Sequence, residues 1–354
     1  MVTHLRVVSV LGPPLSGPST VGCVTSERPG STGDYTLGQI GEFGLINRVA
    51  RTVTQGHAVL LGPGDDAALV AAPDARVLAS TDLLVEGRHF RRDWSTAYQV
   101  GRKAAAQNLA DIAAMGGVGT ALLVGLAAPA DLPLSWAQDL SAGLADEAGL
   151  VGASVAGGDT VRSEAALLIA VTALGDLQGR APVTRAGARP GDIVAYAGEL
   201  GWSACGLELL LRDADGPKRA FARHRSPEPP YEQGPAAARA GASAMLDVSD
   251  GLLADLGHIA EESGVRIDLD PAEFPIPDQL RETAAQLGIE VLDWVLTGGE
   301  DHALAACFPA GTALPPGWTT VGRVLERGAA GGDEPLVTVA GRGWAGSRGW
   351  DHFG

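Results

Sequence analysis

Carboxylates recur in this chain at positions where neither a partner nor open solvent is an obvious reason for them. "LLGPGDDAAL" (60–69) sets Asp65 and Asp66 side by side between apolar residues. "STD" brings Ser80, Thr81 and Asp82 to the end of an apolar run, and "AGGDT" puts Asp159 behind Gly157 and Gly158. In "LDVSDG" Asp247 and Ser249 share one face of a strand by its period of two, and Asp250 stands where the next helix begins. Asp111 lies inside the Ala-rich "QNLADIAAMGG", where Gln107 and Asn108 precede it by four and three residues and form one polar stripe. Singly these acids read as a turn acid, a strand end facing water, a helix N-cap or an exposed helix acid. Together they suggest a shared task. Clustered carboxylates repel and raise one another's pKa unless a cation separates them, and Mg²⁺ commonly joins one or two carboxylates to substrate phosphates. Glycine turns beside them let backbone N–H groups approach a polyphosphate.

Composition narrows the ligand. The net charge is −16, from 42 acids against 26 bases, which disfavours nucleic acid as a partner. Only Lys103 and Lys218 supply ammonium groups, so a bound anion must be neutralised by Arg, backbone N–H groups or metal ions. The phosphate-loop, protein-kinase and dinucleotide glycine signatures are missing, as are the serine-hydrolase, zinc-protease and paired-cysteine motifs. Cys23, Cys205 and Cys307 are scattered, which fits a reducing cytoplasm, and no apolar run reaches membrane-spanning length.

The elements that must carry these acids alternate. A helix is expected over 40–53, strands at 57–63 and 76–87, a long helix over 95–117, a strand at 119–129, a helix over 134–150, and strands at 153–160 and 165–175. The Gly-, Pro- and Arg-rich stretch 175–192 marks a boundary. Beyond it come a strand at 193–198, a helix over 203–212, a Pro-rich charged connection at 213–235, a strand at 244–249, a helix over 251–264, a strand at 265–270, a helix near 278–288, and closing strands. The fold class is α/β (α+β) in two domains. Residues 1–38 read as a disordered extension or a misplaced start, 39–176 as the first domain and 177–354 as the second.

"GEFGLI", "GPGDDAA", "STDLLVEGRHF", "NLADIAAMGG", "AGGDT", "VTRAGARPGD", "LDVSDGLLADLGHI", "LTGGEDH" and "GWDHF" follow, in order, the pattern of the thiamine-monophosphate kinases. The resemblance runs from about residue 40 to the end. "GDD", "GGDT" and "DxSDG" are shared with the wider aminoimidazole-ribotide-synthetase-like ATP-binding superfamily, whereas "STDxxVxGxHF" and the terminal "DHF" are narrower. The resemblance implies ATP-dependent phosphorylation of thiamine monophosphate to the diphosphate. It also implies an N-terminal mixed sheet with helices on one face, which pairs in a homodimer, and a C-terminal α/β domain that completes the substrate site. Carried over motif by motif, Asp66, Ser80, Thr81, Asp82, Asp111, Asp159, Asp247 and Asp250 look like ligands of several Mg²⁺ ions. Gly158, Asp159, Arg185 and Ser249 look like ATP contacts, and His89, Glu300 and Trp350 look like substrate contacts. The family often has Tyr where Trp350 stands, and either ring could stack on a thiamine ring. Asp65 is expected to shape the turn, and Asp301 gains no role from the motif.

The implied chemistry agrees with the acids. An acceptor phosphate is already ionised near neutral pH, so charge neutralisation and in-line positioning are the main tasks and no protein base is committed. The alternative is another ATP-dependent synthetase or ligase of the same superfamily. A selenophosphate-type synthetase should show a reactive Cys near a glycine-rich N-terminus, and Cys23 lies outside the matching region.

Overall fold

The computed structural model describes residues 35–50, 54–63, 67–164, 166–328, 335–346 and 349. The expectations for residues 1–34, for Asp65 and Asp66, and for Trp350 with the terminal "DHF" fall outside them. These described residues belong to one compact unit.

In chain order the elements are α1 (Leu37–Ala50), β1 (Val59–Leu61), β2 (Leu69–Val70), β3 (Leu78–Val85), α2 (Ala97–Ala114), β4 (Val118–Ala128), α3 (Leu134–Gly149), β5 (Ser154–Arg162) and β6 (Leu168–Asp176). Then follow β7 (Ile193–Ala197), α4 (Trp202–Leu211), α5 (Lys218–Arg225), α6 (Gln233–Ala240), β8 (Ala244–Val248), α7 (Leu252–Ser263), β9 (Val265–Leu269), α8 (Asp278–Leu287), α9 (Val291–Thr297), β10 (Ala303–Phe308), β11 (Trp318–Glu326) and β12 (Val337–Val339). The mixed α/β class is as expected. The first helix begins at Leu37, before the expected start at residue 40. The connection at 213–235 also contains a helix, α5, and the start of another, α6.

The first sheet has the order β3-β6-β4-β5, with β4 and β5 parallel and the other pairs antiparallel. Strand alternation gives it two different faces. Ser80, Asp82 and Leu84 point with Val171 and Leu122 toward α2 and α3, where Val100, Leu109, Ile112 and Leu140 close an apolar core. Thr81, Leu83, Leu123, Asp159 and Val161 occupy the opposite face, and Leu83 and Val161 are both more than half exposed. α2 opens with a capping box, in which the Thr96 side chain takes the Gln99 N–H and the Gln99 side chain takes the Thr96 N–H. It packs on α3 almost backbone to backbone: a Cβ on Gly101 would lie 2.1 Å from the Leu140 carbonyl oxygen.

The second sheet has the order β12-β9-β11-β7-β10-β8, antiparallel except where β12 joins β9. One face is covered by α4, α7 and α9 around Trp202, Leu256 and Leu296. On the other face Met245, Leu304, Ala306 and Phe308 meet Ala113 and Ala114 from the end of α2. α2 thus lies between the two sheets, so a side chain on its last turns can face β3 and β8 at once.

Candidate active site

Asp111 uses that position. Its Oδ2 accepts the Ser80 hydroxyl at 2.5 Å across to β3. One turn back, Asn108 is fully buried; its Oδ1 accepts the Asp82 N–H at 3.1 Å and its amide donates to the Ala104 carbonyl. Gln107 hydrogen-bonds the Asp82 carboxylate. The polar stripe on α2 is therefore the seam joining the helix to β3, rather than a solvated face.

From the other side β8 delivers Asp247, only 6% exposed, whose Oδ2 lies 3.0 Å from His302 Nδ1. Burial lifts the Asp111 carboxyl to about 7, assisted by the charges of Asp247 and Asp82 and opposed by Ser80 and His302. Burial likewise raises Asp82, with His302 lowering it and Asp247 adding to the rise. Asp255, on the first turns of α7, is pushed to about 8 by burial and by Asp247 and Asp250. β3, α2, β8 and α7 thus converge four carboxylates, and crowding and burial raise Asp82, Asp111 and Asp255 among them. His302 is the cationic partner: burial works against its charged form, yet Asp247 holds its pKa above the usual value.

Asp250 does not cap α7. Gly251 occupies the N-cap position at φ 120°, and the N–H groups of Asp250 and Gly251 both donate to Asp255 Oδ2. That leaves the Asp250 carboxylate free of the capping role the sequence allowed it, beside Ser249 at the mouth of the cluster.

The remaining sequence candidates fall into two other places. Thr81 and Asp159 lie on the opposite face of the first sheet from Asp82. Thr81 donates to the Val171 carbonyl, and Asp159 is exposed and accepts the Thr160 N–H. Gly158 is exposed on the edge strand β5. Arg185 is exposed on the turn before β7, with its carbonyl taking the Ser263 hydroxyl. Within the chain, Ser80, Asp82, Asp111 and Asp247 come together, and Thr81 and Asp159 do not join them.

The substrate candidates form the third group. His89 follows β3, and its Nδ1 accepts the Val85 N–H at 3.0 Å, so the neutral ring carries its proton on Nε2. Glu300 sits in the loop 298–302, where Glu300 and His302 both have left-handed backbones, at φ 61° and 51°. This loop sends three successive side chains three ways. Glu300 reaches Lys103 Nζ at 2.9 Å, Asp301 accepts the N–H groups of Gly201 and Ser203 at the start of α4, and His302 meets Asp247. Lys103, Asp255 and His302 carry no site role in the sequence reading, Asn108 enters it as part of the polar stripe, and Asp301 is left without a role. The available signals are that stripe and Lys103 as one of two lysines.

The donor set suits magnesium. Asp82, Asp111 and Asp247 offer hard oxygen ligands whose mutual repulsion a divalent ion would relieve. Among the described residues no three acidic, His or Cys side chains are grouped so that they could hold one ion together.

The two sheets and the helix between them give the chain the α/β fold of the aminoimidazole-ribotide-synthetase-like class. In agreement, residues 64–177 match the family described as AIR synthase related protein, N-terminal domain. Thiamine-monophosphate kinase of Mycobacterium tuberculosis is 51% identical over 331 residues, covering 93% of this chain and 97% of that protein. The Corynebacterium glutamicum enzyme of the same name is 40% identical, over 90% and 95%. The solved structure of AaThiL complexed with AMPPCP and TMP superposes with a TM-score of 0.72 at 32% identity, covering 93% of this chain and all of that one. A hydrogenase maturation protein HypE shares the fold at 17% identity and a TM-score of 0.62. The chain belongs to the thiamine-monophosphate kinase family.

Proposed function

We propose that this chain transfers the γ-phosphoryl group of ATP directly to the phosphate of thiamine monophosphate, giving thiamine diphosphate and ADP. The carrying observation is the convergence of Asp82, Asp111 and Asp247 from β3, α2 and β8 into one partly buried, self-repelling cluster. Magnesium ions, when bound, supply the positive charge that offsets two approaching polyanions. Asp82, Asp111, Asp247 and Asp250 hold them, with Ser80 fixing the Asp111 carboxylate by its hydrogen bond. His302 orients Asp247. Arg185 and Gly158, both exposed, and Ser249 receive the nucleotide, and His89 and Glu300 receive the thiamine portion. No group of the protein acts as nucleophile, since the acceptor phosphate is its own.

In this reading residues 39–176 carry Asp82, Asp111 and Gly158 of the metal and ATP site, and 177–354 add Asp247, Asp250, Arg185 and Ser249 and complete the substrate site with Glu300. The exposed apolar face bearing Leu83, Leu123 and Val161 supports pairing of first domains in a homodimer, which would bring Thr81 and Asp159 against a second copy. Among the described residues no helix is long and apolar enough to cross a membrane, and we place the enzyme in the cytoplasm. Acid-quenched reactions with γ-labelled ATP test the direct route. Label should appear in thiamine diphosphate with none on the protein; a trapped phosphoprotein would overturn it.

A further inference from the structure

We infer that Lys103 is the positioning residue of the substrate pocket: its buried ammonium ties the two described substrate-facing segments to each other through one point charge. The inference rests on the assignment of His89 and Glu300 to the substrate. Lys103 lies on α2 and is 2% exposed. An ammonium has three donors, and the structure gives each an acceptor. Nζ donates to Glu300 Oε2 at 2.9 Å, to the His89 carbonyl at 3.0 Å and to the His224 carbonyl at 3.3 Å. These acceptors belong to three segments: the turn after β3, the end of α5, and the loop 298–302. Two of those segments carry a proposed substrate contact.

The choice of residue follows from the geometry. An arginine fork is planar and suits a bidentate carboxylate, whereas a compact ammonium can serve three oxygens arranged around one point. Such burial is costly for a lone charge and is compensated here by Glu300. The His224 ring, 3.6 Å from Glu300 Oε2 and 3.3 Å from the Ser203 hydroxyl, adds a polar wall while staying neutral, because burial first and Lys103 second push its pKa down to about 4. Burial would favour protonated Glu300, but Lys103, by its charge and its hydrogen bond, holds it below the usual carboxylate range. Glu300 is thus an anion fixed at one oxygen, its side chain still 31% exposed. A carboxylate so held recognises a cationic ring or an N–H donor, and the thiamine portion of the substrate offers both. Glu300 reaches α2 from a left-handed backbone, sparsely populated for a non-glycine residue.

The test is a double-mutant cycle on the full-length protein with Lys103→Met, Glu300→Gln and the pair, measuring KM for thiamine monophosphate and for ATP separately. Each single change should raise the KM for thiamine monophosphate about tenfold to hundredfold, the range for a lost charge-assisted hydrogen bond, and leave the KM for ATP within about twofold. Because Lys103 acts through Glu300, the pair should fall within about threefold of the worse single variant. Where the Met variant does not fold, Lys103→Gln, which keeps N–H donors and drops the charge, takes its place in the cycle. Full additivity, an equal rise in both KM values, or an unchanged KM for thiamine monophosphate in the Lys103 variant would overturn the positioning role. An unchanged KM in Glu300→Gln would instead remove Glu300 from the substrate site, and the inference with it.

Discussion

Replacing Asp111 by Asn separates what the acid cluster costs the fold from what it does for the reaction. The Asp111 carboxyl rises from 3.8 to about 7, through burial first and then through Asp247 and Asp82. At about 1.36 kcal/mol per pKa unit, keeping it ionised in the metal-free protein costs on the order of 4 kcal/mol, shared with its coupled neighbours. The sign follows from linkage. The unfolded chain loses this proton near 3.8 and the folded chain near 7, so the penalty is absent below about pH 4, grows between about 4 and 7, and is complete above. Asn keeps the shape and an oxygen for the Ser80 hydroxyl without the charge. In EDTA at about pH 8, Asp111→Asn should therefore be the more stable protein by about 2–4 kcal/mol, a rise in Tm of about 4–8 °C, and the gap should close toward about pH 4. Thiamine diphosphate formation should meanwhile fall at least about a hundredfold, as for loss of a group that stabilises transition-state charge. Thermal melts across pH, run beside initial rates, measure both. A variant less stable than its parent in EDTA at about pH 8, or one with near-parental turnover, would refute the reasoning.

Other perturbations test the surrounding structure. Gly101→Ala would drive a Cβ to 2.1 Å from the Leu140 carbonyl, and Gly143→Ala would do the same at Tyr98; each should lower stability by about 2–4 kcal/mol in denaturant titrations, through forced separation of α2 and α3. Tyr231 donates at 2.7 Å to Glu147, a fully buried acid that also pairs with Arg102, so Tyr231→Phe should cost about 1–3 kcal/mol by leaving a buried oxygen short of a donor. Unchanged melting of that variant would show the hydrogen bond to be dispensable. Leu83→Glu with Leu123→Glu, on the open face of the first sheet, should convert a dimer to monomers in light scattering and leave the secondary structure intact by circular dichroism.

The layout of strands and helices around the acids was readable because their periods differ: β3 alternates, while α2 carries small residues around one polar stripe. The same alternation separates Asp82 from Thr81, although their placement on opposite faces of one sheet becomes plain only when the helix-covered side is known. α5 was hidden inside a Pro-rich charged stretch because it buries just Ala220 and His224, one turn apart, too little to register as a hydrophobic pattern. Asp255 and His302 escaped notice for another reason. Their roles come from side chains delivered by separate elements, a capping oxygen on α7 and a left-handed loop before β10, and no local spacing encodes such a meeting. Asp250 shows the converse, where the helix-start rule named a cap that Gly251 and Asp255 supply.

The most direct measurement is product formation by the purified full-length protein with ATP, Mg²⁺ and thiamine monophosphate, resolved by chromatography. A thiamine diphosphate peak that grows with time, matches the ADP released and disappears on adding EDTA is the predicted result. ATP consumed with no thiamine diphosphate, or a diphosphate peak that persists undiminished in EDTA, would contradict the assignment of Asp82, Asp111 and Asp247 to a magnesium site for phosphoryl transfer.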